Sequence, residues 1–309
     1  MFSRILLLAL LPLSSVAPLR AQTKKVPAPA AVPVRPALPV KPALPIAKKP
    51  AVKSAGIAEP FAVAGDAAPP TVTAAAYILL DANTGRVLHE HNADQSRPVA
   101  STQKLLTALI IAEGGSLDAP VRVQASDTWA EPSKLYLKPG EVYPRSRLLH
   151  ILLVKSMNDV ARCLARDHAG SVEAFAERMN VKAAALGMRA SHFVNPNGLP
   201  APGQFSTARD MSRVAMAAYR NRTIRDIVRL KSYTWQYSDG RSRTFTNTNQ
   251  VLRNYGACNG MKTGYTEAAG HCLISSASYG GREVIAVALG DTKAIWNDSY
   301  RLLSWALSS

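Results

Sequence analysis

The sequence predicts an α+β fold, in which an antiparallel sheet flanked by helices adjoins a second, mostly helical subdomain. Three observations predict it. A strand-turn-strand pattern follows residue 74, a long helical stretch comes next, and strand patterns return before one closing helix. Strands on both sides of a helical insert can pair into one sheet with the helices packed beside it.

Each element follows from a local pattern. Ala75–Asp81 is strand-like, Asn83-Thr-Gly is a turn signal and Arg86–His91 alternates, so a hairpin opens the domain. Apolar residues at helical spacing predict five helices, which are Ser101–Glu113, Arg145–Val154, Asn158–Ala169, Val172–Leu186 and Thr207–Arg220. Four later strands and a last helix are predicted at Tyr233–Tyr237, Asn259–Tyr265, Cys272–Ser278, Val284–Leu289 and Ala294–Leu307.

Composition excludes several other classes of protein. The 309 residues are 47% hydrophobic, which is enough for one or two ordinary cores. No apolar run reaches the roughly 18 residues of a membrane-spanning helix. No long repeat recurs, and three cysteines cannot form a disulfide framework. A polytopic membrane protein, a solenoid and a cysteine-stapled scaffold are therefore disfavoured.

The first quarter of the chain predicts export. Residues 1–21 combine Arg4, a short apolar stretch and small residues near Ala21, which is typical of a signal peptide. Residues 22–73 are rich in Pro, Ala and Lys, and this composition predicts an extended, disordered linker. One globular domain is then expected at 74–309, in the periplasm or on the exterior of the cell envelope.

The chain is basic, with a formal net charge of +16. Residues 1–75 hold nine Lys and Arg against two Asp and Glu, so the linker could make peripheral contact with a membrane or an anionic wall polymer. After residue 75 there is no basic block interleaved with aromatic residues and no zinc-finger pattern. Nucleic acid is therefore not an expected partner.

One candidate catalytic pair lies at the start of the first predicted helix. In Ser101-Thr-Gln-Lys104 a spacing of three places the hydroxyl and the amine on one helical face. A lysine can accept the serine proton only when it is neutral, which requires burial or a neighbouring cation. Taken alone, this spacing is a weak signal.

Two further motifs follow in the chain. Ser156-Met-Asn158 lies between two apolar helices, where a loop can project a hydroxyl and an amide into a cleft. Considered by itself, this motif is better explained as a cap of the following helix. Lys262-Thr-Gly264 lies in a predicted strand, where Gly264 lets a substrate backbone approach and Lys262 with Thr263 offers a cation and a hydroxyl to a carboxylate.

The three motifs in this order resemble those of the penicillin-binding serine D,D-peptidases, in particular the low-molecular-mass D-alanyl-D-alanine carboxypeptidase family. The likeness extends through most of residues 76–309 and includes Leu137-Lys-Pro-Gly, Asn195-Pro-Asn-Gly-Leu and Gly260-Met-Lys-Thr-Gly-Tyr. It implies a β-lactamase/D,D-peptidase-like fold and β-lactam antibiotics as covalent inhibitors. Neither a metal nor an organic cofactor is implied.

The resemblance also implies a role for each matching residue. Ser101 would be the acylated nucleophile and Lys104 its base, while Ser156 would pass a proton to the leaving amine and Asn158 would orient Lys104 and the substrate. Lys262 would help to keep Lys104 neutral, and Thr263 would bind the terminal carboxylate. The backbone N–H groups of Ser101 and Tyr265 would form the oxyanion hole.

The resemblance implies removal of the terminal D-alanine from peptidoglycan stem pentapeptides. The alternative is a D,D-endopeptidase that cuts cross-links with the same residues. The segment from Ala201 to Asp210 favours the first activity, and the chain's end at Ser309 without a further β-rich domain favours the second. A non-catalytic wall-binding module is a third, disfavoured interpretation.

Other residues were weighed for separate roles. Cys258 and Cys272 flank the Lys-Thr-Gly strand and could bridge across a hairpin in an oxidising compartment. His89 and His91 could lie on one strand face as metal ligands, but no third ligand is evident. Glu131-Pro-Ser-Lys-Leu superficially resembles the deacylating segment of class A β-lactamases but precedes Ser156 instead of following it, so slow release of a penicilloyl group is expected.

Overall fold

The computed structural model describes residues 68–291 and 294–308, and of the side chain of Asp291 nothing is described. The predicted signal peptide at 1–21 and the linker up to residue 67 lie outside the described residues. At the start of the described region the Thr73 hydroxyl donates to the Asp298 carboxylate at 2.8 Å, so the chain is already tied to the domain at this residue. Within the described ranges, no helix is both long and apolar enough to cross a bilayer.

Five antiparallel strands form the central sheet, in the order β2-β1-β9-β8-β7. Their bounds are β1 Ala76–Asp81, β2 Val87–His91, β7 Cys258–Thr266, β8 Gly270–Tyr279 and β9 Arg282–Asp291. Two small antiparallel ribbons accompany the sheet, β3 Pro120–Arg122 with β4 Val142–Pro144, and β5 Ser232–Gln236 with β6 Ser242–Thr246. The first strands therefore pair with the last ones, and the helical middle of the chain folds against them.

Eight helices complete the described fold. They are α1 Lys104–Glu113, α2 Arg145–Lys155, α3 Asn158–Ala169, α4 Val172–Ala185, α5 Ala208–Arg220, α6 Arg222–Val228, α7 Gln250–Asn254 and α8 Ile295–Ser308.

The central sheet separates two hydrophobic cores because its side chains alternate between its faces. Along β1, Ile78 and Leu80 join the larger core with helices α1 to α6, whereas Tyr77 and Leu79 join the smaller core with α7 and α8. Helix α1 is buried from Lys104 to Ile111, and the middle of α2 is buried from Leu148 to Val154 except at His150.

The predicted α+β class is confirmed, and the opening hairpin and the five central helices are present close to their predicted bounds. Five short elements were missed, namely β3, β4, β6, α6 and α7. Strand β6 shows why, since Phe245 is its one buried residue and its sequence carries no apolar alternation. The first predicted helix begins with a 3₁₀ turn at Ala100–Gln103.

The suggested bridge between Cys258 and Cys272 is wrong. Strand register places Cys258 opposite Ala277 and Cys272 opposite Gly264, so the two thiols lie well apart along the hairpin. All three cysteines are free and buried. Register, which depends on pairing between strands, decided this point.

Candidate active site

The Ser101 hydroxyl and the Lys104 amine are in direct contact. The 3₁₀ turn that contains Ser101 runs without a break into α1, which begins at Lys104. The Lys104 Nζ lies 2.8 Å from the Ser101 Oγ. The predicted one-face arrangement of this pair is therefore present, although a tighter 3₁₀ turn rather than an α-helical turn produces it.

Lys104 is enclosed by protein, with 0% of its surface exposed. Burial lowers the pKa of its ammonium well below the usual value, and the nearby charge of Lys262 lowers it further. No carboxylate forms an ion pair with Lys104 in the described part of the chain. A neutral amine so close to a hydroxyl can accept its proton.

Two oxygen atoms besides the serine hydroxyl hold the Lys104 amine. Its Nζ donates to the Asn158 Oδ1 at 2.7 Å and to the backbone carbonyl of Asn197 at 2.5 Å. The Ser101 hydroxyl also donates to the Asn197 carbonyl, at 3.2 Å. These three oxygen atoms fix the position of the amine. The protonated amine has no lone pair, so Lys104 can act as a base only after it has lost a proton.

The second motif lies at the junction of α2 and α3. Helix α2 ends where Ser156 takes a left-handed conformation, with φ 67°, and Asn158 opens α3. The Asn158 amide donates to the Pro132 carbonyl at 2.6 Å, so its oxygen must face Lys104. Ser156 lines the cleft. Its hydroxyl forms no hydrogen bond with the amine of Lys104 or of Lys262, both of which are among the described residues.

Strand β7 brings the third motif to the opposite wall. Lys262 is 1% exposed and donates to the Thr263 carbonyl at 2.8 Å. Burial lowers the pKa of Lys262 to about 7. The Thr263 hydroxyl lies 2.7 Å from the hydroxyl of Thr248, so a second threonine adjoins the position expected to bind a carboxylate.

Gly264 allows β7 to pack against the turn that carries Ser101. A Cβ at this position would lie 2.9 Å from the backbone nitrogen of Ser101 and 3.0 Å from the Ala100 Cβ. This approach places the strand beside the backbone N–H of Ser101, which was predicted to form an oxyanion hole with that of Tyr265. The Tyr265 side chain is exposed and its ring lies 4.6 Å from that of His271.

The three motifs line one open cleft of about 820 Å³. Met157 lines it and is 5% exposed, so it contributes an apolar surface there. Glu131 does not line the cleft; its side chain is 73% exposed and pairs with Lys134 at 2.9 Å. The likeness of this segment to a deacylating glutamate therefore does not extend to its position.

Sequence reasoning missed three contributors to the site. Lys104 donates to the Asn197 carbonyl, and the Thr263 hydroxyl contacts that of Thr248. The third contributor is the Asp159 carboxylate. Asp159 accepts bonds from the backbone of Leu135 and Leu137, and so holds the loop that receives the Asn158 amide. The Pro-Asn-Gly turn signal marks Asn197, whereas no local pattern marks the other two.

The described residues contain no group of His, Cys, Asp and Glu suited to a metal ion. His89 instead forms a 2.8 Å hydrogen bond with the Tyr77 hydroxyl, and His91 one of 3.0 Å with the Asn92 amide.

Comparison with known proteins places this geometry in a family. The profile of a family described as D-alanyl-D-alanine carboxypeptidase matches residues 63–293. The chain is 34% identical over 257 residues to the D-alanyl-D-alanine carboxypeptidase DacA of Escherichia coli K12, covering 76% of this chain and 61% of that protein. It is 31% identical to the D-alanyl-D-alanine endopeptidase of the same organism, covering 79% of this chain and 80% of that protein.

A solved structure agrees in both fold and sequence. The crystal structure of a D-alanyl-D-alanine carboxypeptidase from Mycobacterium tuberculosis H37Rv superposes with a TM-score of 0.75 and 32% identity, covering 80% of this chain and 95% of that one. The motifs, their meeting in one cleft and the match over most of the domain lead to one conclusion: the chain belongs to the D-alanyl-D-alanine carboxypeptidase family of serine peptidases.

Proposed function

We propose that this protein is an exported serine D,D-carboxypeptidase that removes the terminal D-alanine from peptidoglycan stem pentapeptides. The observation that carries the proposal is the buried Lys104 amine, held between the Ser101 hydroxyl and the Asn158 amide oxygen. A buried, unpaired lysine costs stability, and it is retained where its neutral form is used. Two of the similar proteins, from Escherichia coli and Mycobacterium tuberculosis, are named D-alanyl-D-alanine carboxypeptidases.

In the acylation step, neutral Lys104 takes the Ser101 proton as the Ser101 oxygen attacks the carbonyl carbon between the two D-alanines. The negative charge that develops on the carbonyl oxygen is stabilised by the backbone N–H groups of Ser101 and Tyr265, one such donor being worth about 3 kcal/mol. As the C–N bond breaks, Ser156 delivers its hydroxyl proton to the leaving amine and takes up the proton that Lys104 holds, so Lys104 is neutral again in the acyl-enzyme. Asn158 orients the amine of Lys104 throughout.

In the deacylation step, water attacks the acyl carbon and neutral Lys104 accepts its proton. Lys104 then returns this proton to the Ser101 oxygen as the acyl C–O bond breaks, which releases the shortened peptide acid and restores the free enzyme. β-Lactams would acylate Ser101 by the same first step, and slow release is expected because Glu131 does not line the cleft.

The proposed site of action is the periplasm or the exterior of the cell envelope, after export by residues 1–21. The basic linker at 22–73 would contact a membrane or anionic wall polymer, and residues 74–309 would form the catalytic domain. Neither the signal peptide nor most of the linker lies in the described residues.

A D,D-endopeptidase activity on cross-linked stems remains the second candidate. It is favoured by the open form of the cleft and by the similarity to a protein named as an endopeptidase. Both activities use the same acyl-serine intermediate and differ only in the size of the leaving amine.

One experiment separates the two. The full-length protein is incubated with an equal mixture of pentapeptide muropeptide and cross-linked dimer, and the products are read by mass spectrometry. We expect loss of one alanine from the monomer with the dimer intact, and no product with Ser101→Ala. Conversion of dimer to monomers would establish the endopeptidase instead, while a penicillin label that persists in Ser101→Ala would refute Ser101 as the nucleophile.

A further inference from the structure

Positive charge is concentrated around helix α6. Residues 220–231 hold five cations against one acid, a net charge of +4 in twelve residues, whereas the whole chain of 309 residues carries +16. All five cations are exposed, and together they are called the α6 basic face. They are Arg220, Arg222, Arg225, Arg229 and Lys231. This face belongs to the folded domain and is separate from the basic segment at the start of the chain.

Helical spacing aligns three of these arginines on one side of α6. Arg222, Arg225 and Arg229 follow one another at intervals of three and four residues, which places them on one helical face. The opposite side is fixed in the larger core by Ile224 and Ile227, which are 0% and 2% exposed. The helix cannot rotate without exposing these two residues, so the arginines form a fixed outward row about 10 Å long.

The protein itself neutralises little of this charge. Arg222 lies 3.8 Å from Asp226, but the two side chains are 91% and 57% exposed, and so open a pair leaves most guanidinium N–H groups to solvent or a ligand. The other four cations form no ion pair with the described residues. The Arg225 guanidinium lies 5.6 Å from the centre of the Tyr219 ring, beside which Glu283 also lies. Against these two acids the face keeps a clear excess of positive charge.

The α6 basic face adjoins the catalytic cleft. A Cβ on Gly260 would collide with the Val228 carbonyl, so the end of α6 packs directly on β7, two residues before the Lys-Thr-Gly motif. The Lys231 carbonyl accepts a hydrogen bond from the Asn247 N–H at 2.9 Å, and the next residue, Thr248, lines the cleft. A polymer that lies on this face therefore has the cleft within its reach.

The make-up of the face favours a hydrated polyanion over a lipid bilayer. Helices that lie on membranes present apolar side chains to the lipid as well as cations. Helix α6 instead turns its apolar side chains into the core, and none of residues 220–231, all of which are described, is a large exposed hydrophobic residue. Single-stranded nucleic acid is disfavoured for the same reason, since it is bound with exposed aromatic rings.

Carboxylates are the anions that this face fits on the proposed substrate. A guanidinium binds a carboxylate through two parallel N–H donors and keeps its charge at any relevant pH. Each stem peptide of the proposed substrate ends in a free carboxylate, so a polymer with many stems presents negative charge at repeated positions. A row of exposed arginines is complementary to such a polymer.

We infer that the α6 basic face docks this protein on peptidoglycan by binding carboxylates of stems other than the one in the cleft. The inference rests on the proposed function, because that function identifies the polymer. Docking at a second place keeps the protein on the polymer between turnovers and raises the effective concentration of stems at the cleft. A soluble stem peptide cannot occupy both places, so the face matters for the polymer alone.

The test measures binding of the full-length protein to insoluble peptidoglycan sacculi that have been stripped of lipid, protein and other wall polymers. A triple variant, Arg222→Glu with Arg225→Glu and Arg229→Glu, reverses the row of charges. We expect its dissociation constant to rise at least about tenfold at low salt, and the loss to shrink as salt screens the charges. The same three residues changed to Gln should give a smaller loss in the same direction.

A matched control changes the net charge equally at scattered places. Arg86→Glu, Lys138→Glu and Arg189→Glu are combined in one variant, since all three residues are exposed and none forms an ion pair with the described residues. Its dissociation constant should rise less than about threefold. The linker is unchanged in every variant, so its contribution cancels.

Catalysis separates docking from a folding defect. Acylation by fluorescent penicillin and release of alanine from a soluble pentapeptide should stay within about twofold of wild type in all variants, as should the melting temperature within a few degrees. Release of alanine from sacculi should fall in the α6 variant alone. On sacculi whose carboxylates have been converted to neutral amides, the difference in binding between wild type and the α6 variant should disappear.

The inference is overturned if the α6 variant and the scattered control bind sacculi equally, or if amidated sacculi still distinguish the α6 variant from wild type. It is also overturned if the α6 variant loses binding only to vesicles that contain anionic phospholipid, which would make a membrane the partner. Failure of the proposed function has a different signature. The wild-type protein would then release no alanine from the soluble pentapeptide, while the binding comparison would still decide the role of α6.

Discussion

Burial of the Lys262 amine should lower the free energy of unfolding, and replacing Lys262 by an apolar residue tests this directly. Burial lowers its pKa from 10.5 to about 7. At pH 7 this shift corresponds to roughly 4 kcal/mol of destabilisation relative to a neutral side chain. Lys262→Met removes that cost but also the bond to the Thr263 carbonyl, worth about 1–2 kcal/mol. We therefore expect a net gain in the free energy of unfolding of about 2 kcal/mol.

The stability difference between Lys262→Met and wild type should depend on pH in a definite direction. The folded-state pKa lies below that of the unfolded chain, so the unfolded chain binds more protons between about pH 7 and 10.5. The penalty is fully present below pH 7 and disappears towards pH 10.5. The stability advantage of Lys262→Met should therefore be largest at or below pH 7 and shrink as the pH rises.

Urea unfolding of the full-length protein between about pH 6 and 9.5 measures this advantage. Lys182→Met serves as a control, because Lys182 forms a partly exposed ion pair with Glu113 and its loss should cost less than about 1 kcal/mol. Acylation by a fluorescent penicillin should meanwhile fall by about 100-fold in Lys262→Met. A variant that is less stable than wild type at pH 7, or an advantage that does not change with pH, would refute the reasoning.

Three further outcomes are expected. Gly264→Ala should reduce acylation by at least about 100-fold, measured with fluorescent penicillin, because its Cβ would press on the backbone nitrogen of Ser101; an unchanged rate contradicts the close approach. Asp159→Asn should lower the free energy of unfolding by about 2 kcal/mol and speed amide exchange at Leu135 and Leu137, whose N–H groups the carboxylate holds; unaltered exchange would show that the loop is held otherwise. The native protein should carry three thiols that react with a maleimide only after unfolding, with or without prior reduction, and rapid labelling would contradict their burial.

Much of the fold follows from local patterns. The opening hairpin and α3 carry strong periodic signals, and both appear within a residue or two of their predicted bounds. Strand β6 and the ribbon of β3 and β4 were missed because each has too few buried residues to produce a period. The unpredicted β6 is also the element that carries Arg243, so a weak local signal hid a residue of the cleft.

The sequence by itself determined which chemical groups the site has. The Ser-x-x-Lys, Ser-x-Asn and Lys-Thr-Gly motifs, in this order, resemble those of a serine peptidase family, and this resemblance implied the catalytic groups. For the first motif, the three-residue spacing alone predicts the contact, since it brings Ser101 and Lys104 together along one turn of helix.

Only the tertiary structure decided the state of those groups. Whether Lys104 is neutral depends on its complete burial, and its partners come from segments 54 and 93 residues away. The separation of Cys258 from Cys272 and the position of Arg243 depend in the same way on strand register and on the packing of a hairpin against α2. Desolvation, register and cleft position are properties of contacts between distant parts of the chain, and no local pattern encodes them.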